Sequence, residues 1–111
     1  MVERGMNLDL LFHSLADPTR RDMLLRLCRE QLSVSELAGK YAMSFAAVAK
    51  HLKVLESAKL ITKTRHGKQQ VAAARPEAIT LASEHLRRYE QLWSERFANL
   101  ENLLNEEKNN E

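Results

Sequence analysis

Between Ser33 and Arg75 two short helical patterns, each opened by a serine, lead into two basic extended segments, and no other stretch narrows the fold as far. Ser33-Val-Ser-Glu36 fits a capping box: the serine hydroxyl accepts from the N–H three residues on, and the glutamate reaches back to the serine N–H. A helix through Tyr41 is predicted from it. Ser44 is placed to cap the next helix, and Val48, Leu52 and Leu55 then share one inward stripe. Leu60 to Arg65 and Gln69 to Ala73 have extended character on either side of His66-Gly67, which predicts a tight hairpin. A helix-turn-helix followed by a hairpin wing satisfies all of these signals together.

The flanks supply more helix. Leu8, Leu11, Phe12 and Leu15 recur at helical spacing and predict a short amphipathic helix over residues 7–15. Asp17-Pro18 is a restart signal, since aspartate suits an N-cap and proline tolerates the first helical position. That helix is predicted to run to about Gln31 and to bury Leu24 and Leu27, with Cys28 on the same apolar face as an inert thiol. Beyond Pro76 a long helix is predicted from Glu77 to about Leu104. Its residues Ala82, Leu86, Tyr89, Trp93, Phe97, Leu100 and Leu104 are spaced 4, 3, 4, 4, 3 and 4 apart, as in a helix packed along its length. The stripe is about 33 Å long at 1.5 Å per residue, longer than a small domain shields, so a second copy of the chain is the expected partner. Asn105 to Glu111 has no apolar residue and is expected to fray.

Charge is divided unevenly. From Lys40 to Arg75 eight basic residues stand against the single acid Glu56, a net +7, although the whole chain carries only +2. From Pro76 to Glu111 four basic and eight acidic residues give −4. Such a cationic block suits duplex DNA, because phosphate neutralisation supplies most of the binding free energy. Around the second capped helix Ala46, Lys50 and Lys53 point roughly opposite the Val48 stripe, where they would face the major groove. Ala46 and Ala47 are small enough to approach thymine methyls. Ser44 and Phe45 stand at the mouth of this helix, and Phe45 either packs on the preceding turn or meets bases and sugars. His51, at the edge of the stripe, is expected to pack or to contact phosphate. Lys63, Arg65 and Lys68 charge the wing, whose tip is expected to reach the backbone or the minor groove. Arg20 and Arg21 occupy a first helical turn, where the dipole disfavours cations, so phosphate contact or ion pairing is expected of them.

Other classes find little support. One cysteine forms no internal disulfide, and no apolar run nears the roughly 20 residues that span a bilayer. Met-Val-Glu-Arg-Gly-Met-Asn lacks the order of a secretory signal, so a cytoplasmic location is expected and no membrane partner. There is no glycine-rich phosphate loop or nucleophile elbow, and Glu84-His85, being adjacent on a helix, do not face one another. An enzyme is not expected, nor a cofactor.

In sequence the chain resembles the ArsR/SmtB family of bacterial winged-helix repressors over nearly its whole length. The matching residues are Leu15-Ala-Asp-Pro-Thr-Arg-Arg21, Ser33-Val-Ser-Glu-Leu-Ala38, Ser44-Phe-Ala-Ala-Val-Ala-Lys-His-Leu-Lys-Val-Leu-Glu56 and Ala58-Lys-Leu-Ile61. The resemblance implies a mainly α, winged helix-turn-helix chain in the order α-α-α-α-β-β-α, with a small extra strand near Val34. It implies one DNA-binding domain over residues 1–111, dimerised through residues 1–16 and 77–107, with Leu8, Leu11, Phe12, Leu86, Tyr89, Trp93, Phe97 and Leu100 at the interface. It also implies a pseudo-palindromic operator, and release by an inducer that the sequence does not identify.

The departures concern metals. The arsenic-sensing branch has two cysteines where this chain has Ser33 and Ser35, and a hard, protonated hydroxyl does not replace a soft thiolate. The zinc- and nickel-sensing branch draws paired histidines and carboxylates from the last helix, which here offers only His85 beside Arg88 and Tyr89. No metal is expected. Two rivals stay in view: a sensor of metal or redox state built on His13, His66 or Cys28, and a winged-helix module that binds protein. The second gives no reason for the +7 block.

Overall fold

Asn7 starts the first helix by accepting from the Leu10 N–H at 3.1 Å. The structure is a computed structural model and describes residues 7–109, so the first six residues of the expected 1–16 dimerisation segment and the last two of the tail lie outside the described part. The elements in chain order are α1 (Leu8–Leu15), α2 (Pro18–Arg29), β1 (Leu32–Ser33), α3 (Val34–Ala38), α4 (Phe45–Ser57), β2 (Ile61–His66), β3 (Gln69–Ala74) and α5 (Pro76–Asn109). This is the mainly α winged helix-turn-helix expected, with the extra strand at Leu32–Ser33. The described chain divides into two compact units, one ending at Ile79 and the other beginning at Thr80.

Local chemistry sets most of the boundaries. Asp17 accepts from the Arg20 N–H at 3.0 Å with Pro18 in the first helical position, so α2 starts where the pair predicts. It ends at Arg29, two residues short of Gln31, because Glu30 is already extended, with φ −161°. That extension delivers Leu32 and Ser33 to β3, where they pair with Ala72 and Val71. Both arms of the capping box form: Glu36 N–H to Ser33 Oγ at 3.0 Å, and Ser33 N–H to Glu36 Oε1 at 2.9 Å. α3 then closes at Ala38 rather than Tyr41. The N–H groups of Lys40 and Tyr41 reach carbonyls three residues back, those of Leu37 and Ala38, so the chain tightens into turns ahead of Ser44. Ser44 accepts from the Ala47 N–H at 3.1 Å and opens α4.

α4 ends in a Schellman motif. The Leu60 N–H bonds the Leu55 carbonyl at 3.1 Å and the Lys59 N–H bonds the Glu56 carbonyl at 3.0 Å. Lys59 takes the left-handed position with φ 64°, where glycine is usual. The motif carries Leu60 and Ile61 straight into the core.

The sheet order is β1-β3-β2, all antiparallel. His66 pairs with Gln69, so the hairpin turns on Gly67-Lys68, one residue later than the expected His66-Gly67. Of the two loop residues only Gly67 has positive φ, the pattern of a type II′ turn. Leu11, Met23, Leu37, Val48, Leu52, Leu55, Leu60 and Ile61 form the fully buried centre.

Two expectations are corrected here. Leu11 was expected at a dimer interface, but it is 0% exposed and belongs to the core. Cys28 was expected to be buried; it is exposed, because it lies about 100° round the helix from buried Leu27. α5 in turn outruns its prediction: the tail expected to fray is helical through Asn109, since no glycine or proline follows Pro76 to break it.

Candidate nucleic-acid interface

α4 buries one side and leaves the other open. Val48, Leu52 and Leu55 are fully buried, whereas Ser44, Ala46, Lys50 and Lys53 are exposed and Ala47 and His51 are half-buried. Phe45 is 55% exposed at the mouth of α4. It lines a groove of about 380 Å³ together with Ser35, Ala49, Lys63, Lys68 and Gln70. That groove brings the mouth of α4 and the wing side by side. Gln69 and Gln70 also line it; they carry no charge or aromatic ring, and nothing in the sequence singles them out.

The wing cations differ in their surroundings. Lys68 is exposed in the turn itself, and Arg65 is exposed beside it while donating from Nε to the Gly67 carbonyl at 3.1 Å. Lys63 is half-buried, and its Nζ lies 3.5 Å from Glu56 Oε1, so its charge is largely answered within the chain. His66 shares a hydrogen bond with Thr64.

Arg20 and Arg21 turn out to serve the end of α1. Arg20 donates from Nε to the Ser14 carbonyl at 2.7 Å and from Nη2 to the His13 carbonyl at 3.1 Å, while Arg21 donates to the Leu15 carbonyl at 2.8 Å. Cations unfavourable at the start of α2 are thus favourable at the end of α1. The aspartate beside them responds: the Arg20 N–H, and then the Arg20 charge, hold the Asp17 carboxyl below its usual range.

A second polar cluster ties the turn before α4 to α2. The Tyr41 hydroxyl donates to Asp22 Oδ2, Arg26 Nε lies 3.1 Å from both Asp22 Oδ2 and the Tyr41 oxygen, and the Arg26 guanidinium stacks 5.4 Å over the Tyr41 ring. Burial, and then the bond to Asp22, push the Tyr41 phenol up to about 12. The same hydrogen bond, followed by that from Arg26, lowers Asp22.

The residues weighed as metal ligands are occupied otherwise or dispersed. Ser33 is buried with its hydroxyl committed to the capping box, and His85 shares a hydrogen bond with Tyr89 at 3.2 Å. Among the described residues no group of three or more His, Cys, Asp or Glu is gathered so as to hold a metal ion.

In the second unit, α5 carries a surface of another kind. Leu86, Tyr89, Trp93, Phe97 and Leu100 are 51 to 63% exposed, and Trp93 and Phe97 meet edge to face at 5.1 Å. Leu92, Leu103 and Leu104 widen the apolar band. No described helix is long and apolar enough to cross a membrane.

The comparisons with known proteins point one way. A family described as a helix-turn-helix domain matches residues 15–64. The chain is 36% identical over 81 residues to the HTH-type transcriptional regulator Rv2034 of Mycobacterium tuberculosis, covering 73% of this chain and 76% of that one. It is similar to the crystal structure of an ArsR family transcriptional regulator, with TM-score 0.73 and 36% identity over 78% of this chain and 96% of the other. It is similar as well to an ArsR-like transcriptional regulator from Rhodococcus sp. RHA1, with TM-score 0.75 and 29% identity over 86% and 91% of the two chains.

Proposed function

The chain belongs to the ArsR/SmtB-type helix-turn-helix transcriptional regulators, a DNA-binding class and not an enzyme family, and from that premise we propose that it is a homodimeric repressor working in the cytoplasm. α4 enters the major groove of a pseudo-palindromic operator, and the wings lie on the flanking backbone. The observation that carries this is the exposed set Ser44, Ala46, Lys50 and Lys53, opposite the buried Val48 stripe, with Arg65 and Lys68 exposed on the adjoining wing. Repression follows from occlusion of a promoter. The exposed α5 band supports pairing with a second copy, and two-fold symmetry matches two half-sites one helical turn apart. Leu8 and Phe12 on α1 are offered for pairing as well, and Leu11, being buried, is not.

Lys50→Ala is the direct test. It weakens binding to an operator half-site pair by about 1–3 kcal/mol if the ammonium meets a guanine edge, and weakens random duplex much less. Equal affinity of wild type and variant for both duplexes over a salt series would remove α4 as the reading helix.

A further inference from the structure

The third contact of Arg20 goes beyond capping α1. Its Nη1 lies 3.3 Å from Nδ1 of His51, crossing from the start of α2 to the middle of α4. A guanidinium only donates, so Nδ1 is the acceptor and the ring proton of neutral His51 sits on Nε2. Among the described residues Nε2 has no hydrogen-bond partner, and the ring is only half-buried. His51 stands about 100° round α4 from Lys50, at the edge between the buried stripe and the exposed face. A group at that edge meets the wall of a groove, which is sugar and phosphate, rather than its floor.

We infer that Arg20 is a positioning residue for DNA binding: it fixes the His51 ring so that Nε2–H is presented as a neutral donor to a backbone phosphate oxygen. The inference rests on α4 being the helix that enters the duplex. Arg20 itself is held in place by the Ser14 and His13 carbonyls, so the end of α1, the start of α2 and the ring on α4 are registered through one guanidinium. Phosphate contacts of this kind set orientation without reading sequence. A neutral donor also leaves a distinctive trace. It displaces no condensed cation, so its removal lowers affinity by the same factor at every salt concentration, whereas removal of a phosphate-bound lysine changes the salt slope.

The test uses a random-sequence duplex titrated over a salt series, with thermal unfolding of each variant alongside. His51→Gln places an amide nitrogen near the Nε2 position but no acceptor near Nδ1 for Arg20, and recovers only part of the affinity that His51→Asn loses. His51→Asn keeps an acceptor for Arg20 near the Nδ1 position but nothing at Nε2, and loses about threefold to tenfold with the salt slope unchanged. Arg20→Met loses a similar factor in the wild-type background and nothing further in the His51→Asn background. Wild-type affinity in His51→Asn would overturn the inference, because the ring would then only pack on Arg20. An equal loss from Arg20→Met in both backgrounds, or a change of slope, would overturn it by showing that Arg20 acts alone. Should Arg20→Met fail to fold, Arg20→Lys takes its place in both backgrounds, because one ammonium does not span the Ser14 carbonyl and His51 Nδ1 as the guanidinium does. Lys53→Ala and Lys68→Ala on the same duplex separate the two levels: if they weaken binding while the His51 variants do not, the DNA face stands and the role of Arg20 falls.

Discussion

Lys63 Nζ lies 3.5 Å from Glu56 Oε1, so the one carboxylate between Lys40 and Arg75 is taken up by a wing lysine. The pair links the last turn of α4 to β2, next to the groove lined by Lys63 and Lys68. The wing therefore offers Arg65 and Lys68 to a polyanion more readily than Lys63. Lys68→Ala is expected to flatten the slope of log affinity against log salt by about 0.9 for each phosphate it no longer neutralises, and Lys63→Ala by clearly less. Glu56→Gln steepens the slope by releasing Lys63. Fluorescence anisotropy with a random duplex measures all three, and equal slopes for Lys63→Ala and Lys68→Ala would show that the ion pair opens on DNA.

Trp93 is 63% exposed in the single chain and sits beside Phe97 in the middle of the α5 band. Trp93→Asp places a carboxylate in any interface built on that band, at a penalty of several kcal/mol per buried unpaired charge. Sedimentation is expected to show a dimer for the wild type at micromolar concentration and a monomer for the variant. A wild-type monomer would refute the proposed pairing.

Lys59 holds φ 64° in the Schellman motif, a conformation that a β-carbon makes unfavourable by about 1–2 kcal/mol. Lys59→Gly relieves this strain but gives part of the gain back to the greater freedom of the unfolded chain, for a net stabilisation of about 0.5–1 kcal/mol. Urea unfolding with an unchanged slope and a higher midpoint is the expected result. A lower midpoint would mean that the lysine side chain contributes more than the backbone conformation takes away.

Asp22 is lowered by the Tyr41 hydroxyl and then by Arg26, relative to about 3.9 in an unfolded chain. A carboxylate lowered in the folded state stabilises it above the unfolded value, and that contribution fades as pH falls through the folded value. The stability difference between wild type and Asp22→Asn is therefore expected to be largest near neutral pH and to shrink on acidification. Tyr41→Phe reproduces part of the effect and removes the phenol that ionises at about 12. A difference that is flat from neutral to acid pH would rule out this account of the cluster.

Elements set by neighbours in sequence were legible in advance. The Asp17-Pro18 start, the Ser33–Glu36 box and the Ser44 cap depend on atoms three residues apart, and the buried Val48, Leu52 and Leu55 stripe depends only on helical spacing. The cationic block around α4 and the wing was equally visible, because charge needs no knowledge of which residues meet. Tertiary structure decided what distant segments do to one another. It paired Leu32 and Ser33 with Ala72 and Val71 of β3 and drew Leu11 into the core. Glu56 with Lys63, Asp22 with Tyr41, and Arg20 with His51 are 7, 19 and 31 residues apart, and each joins two different elements, where helical periodicity does not reach. Such pairs arise only when the chain has packed, since packing of the apolar core is what brings side chains so far apart in sequence within reach of one another.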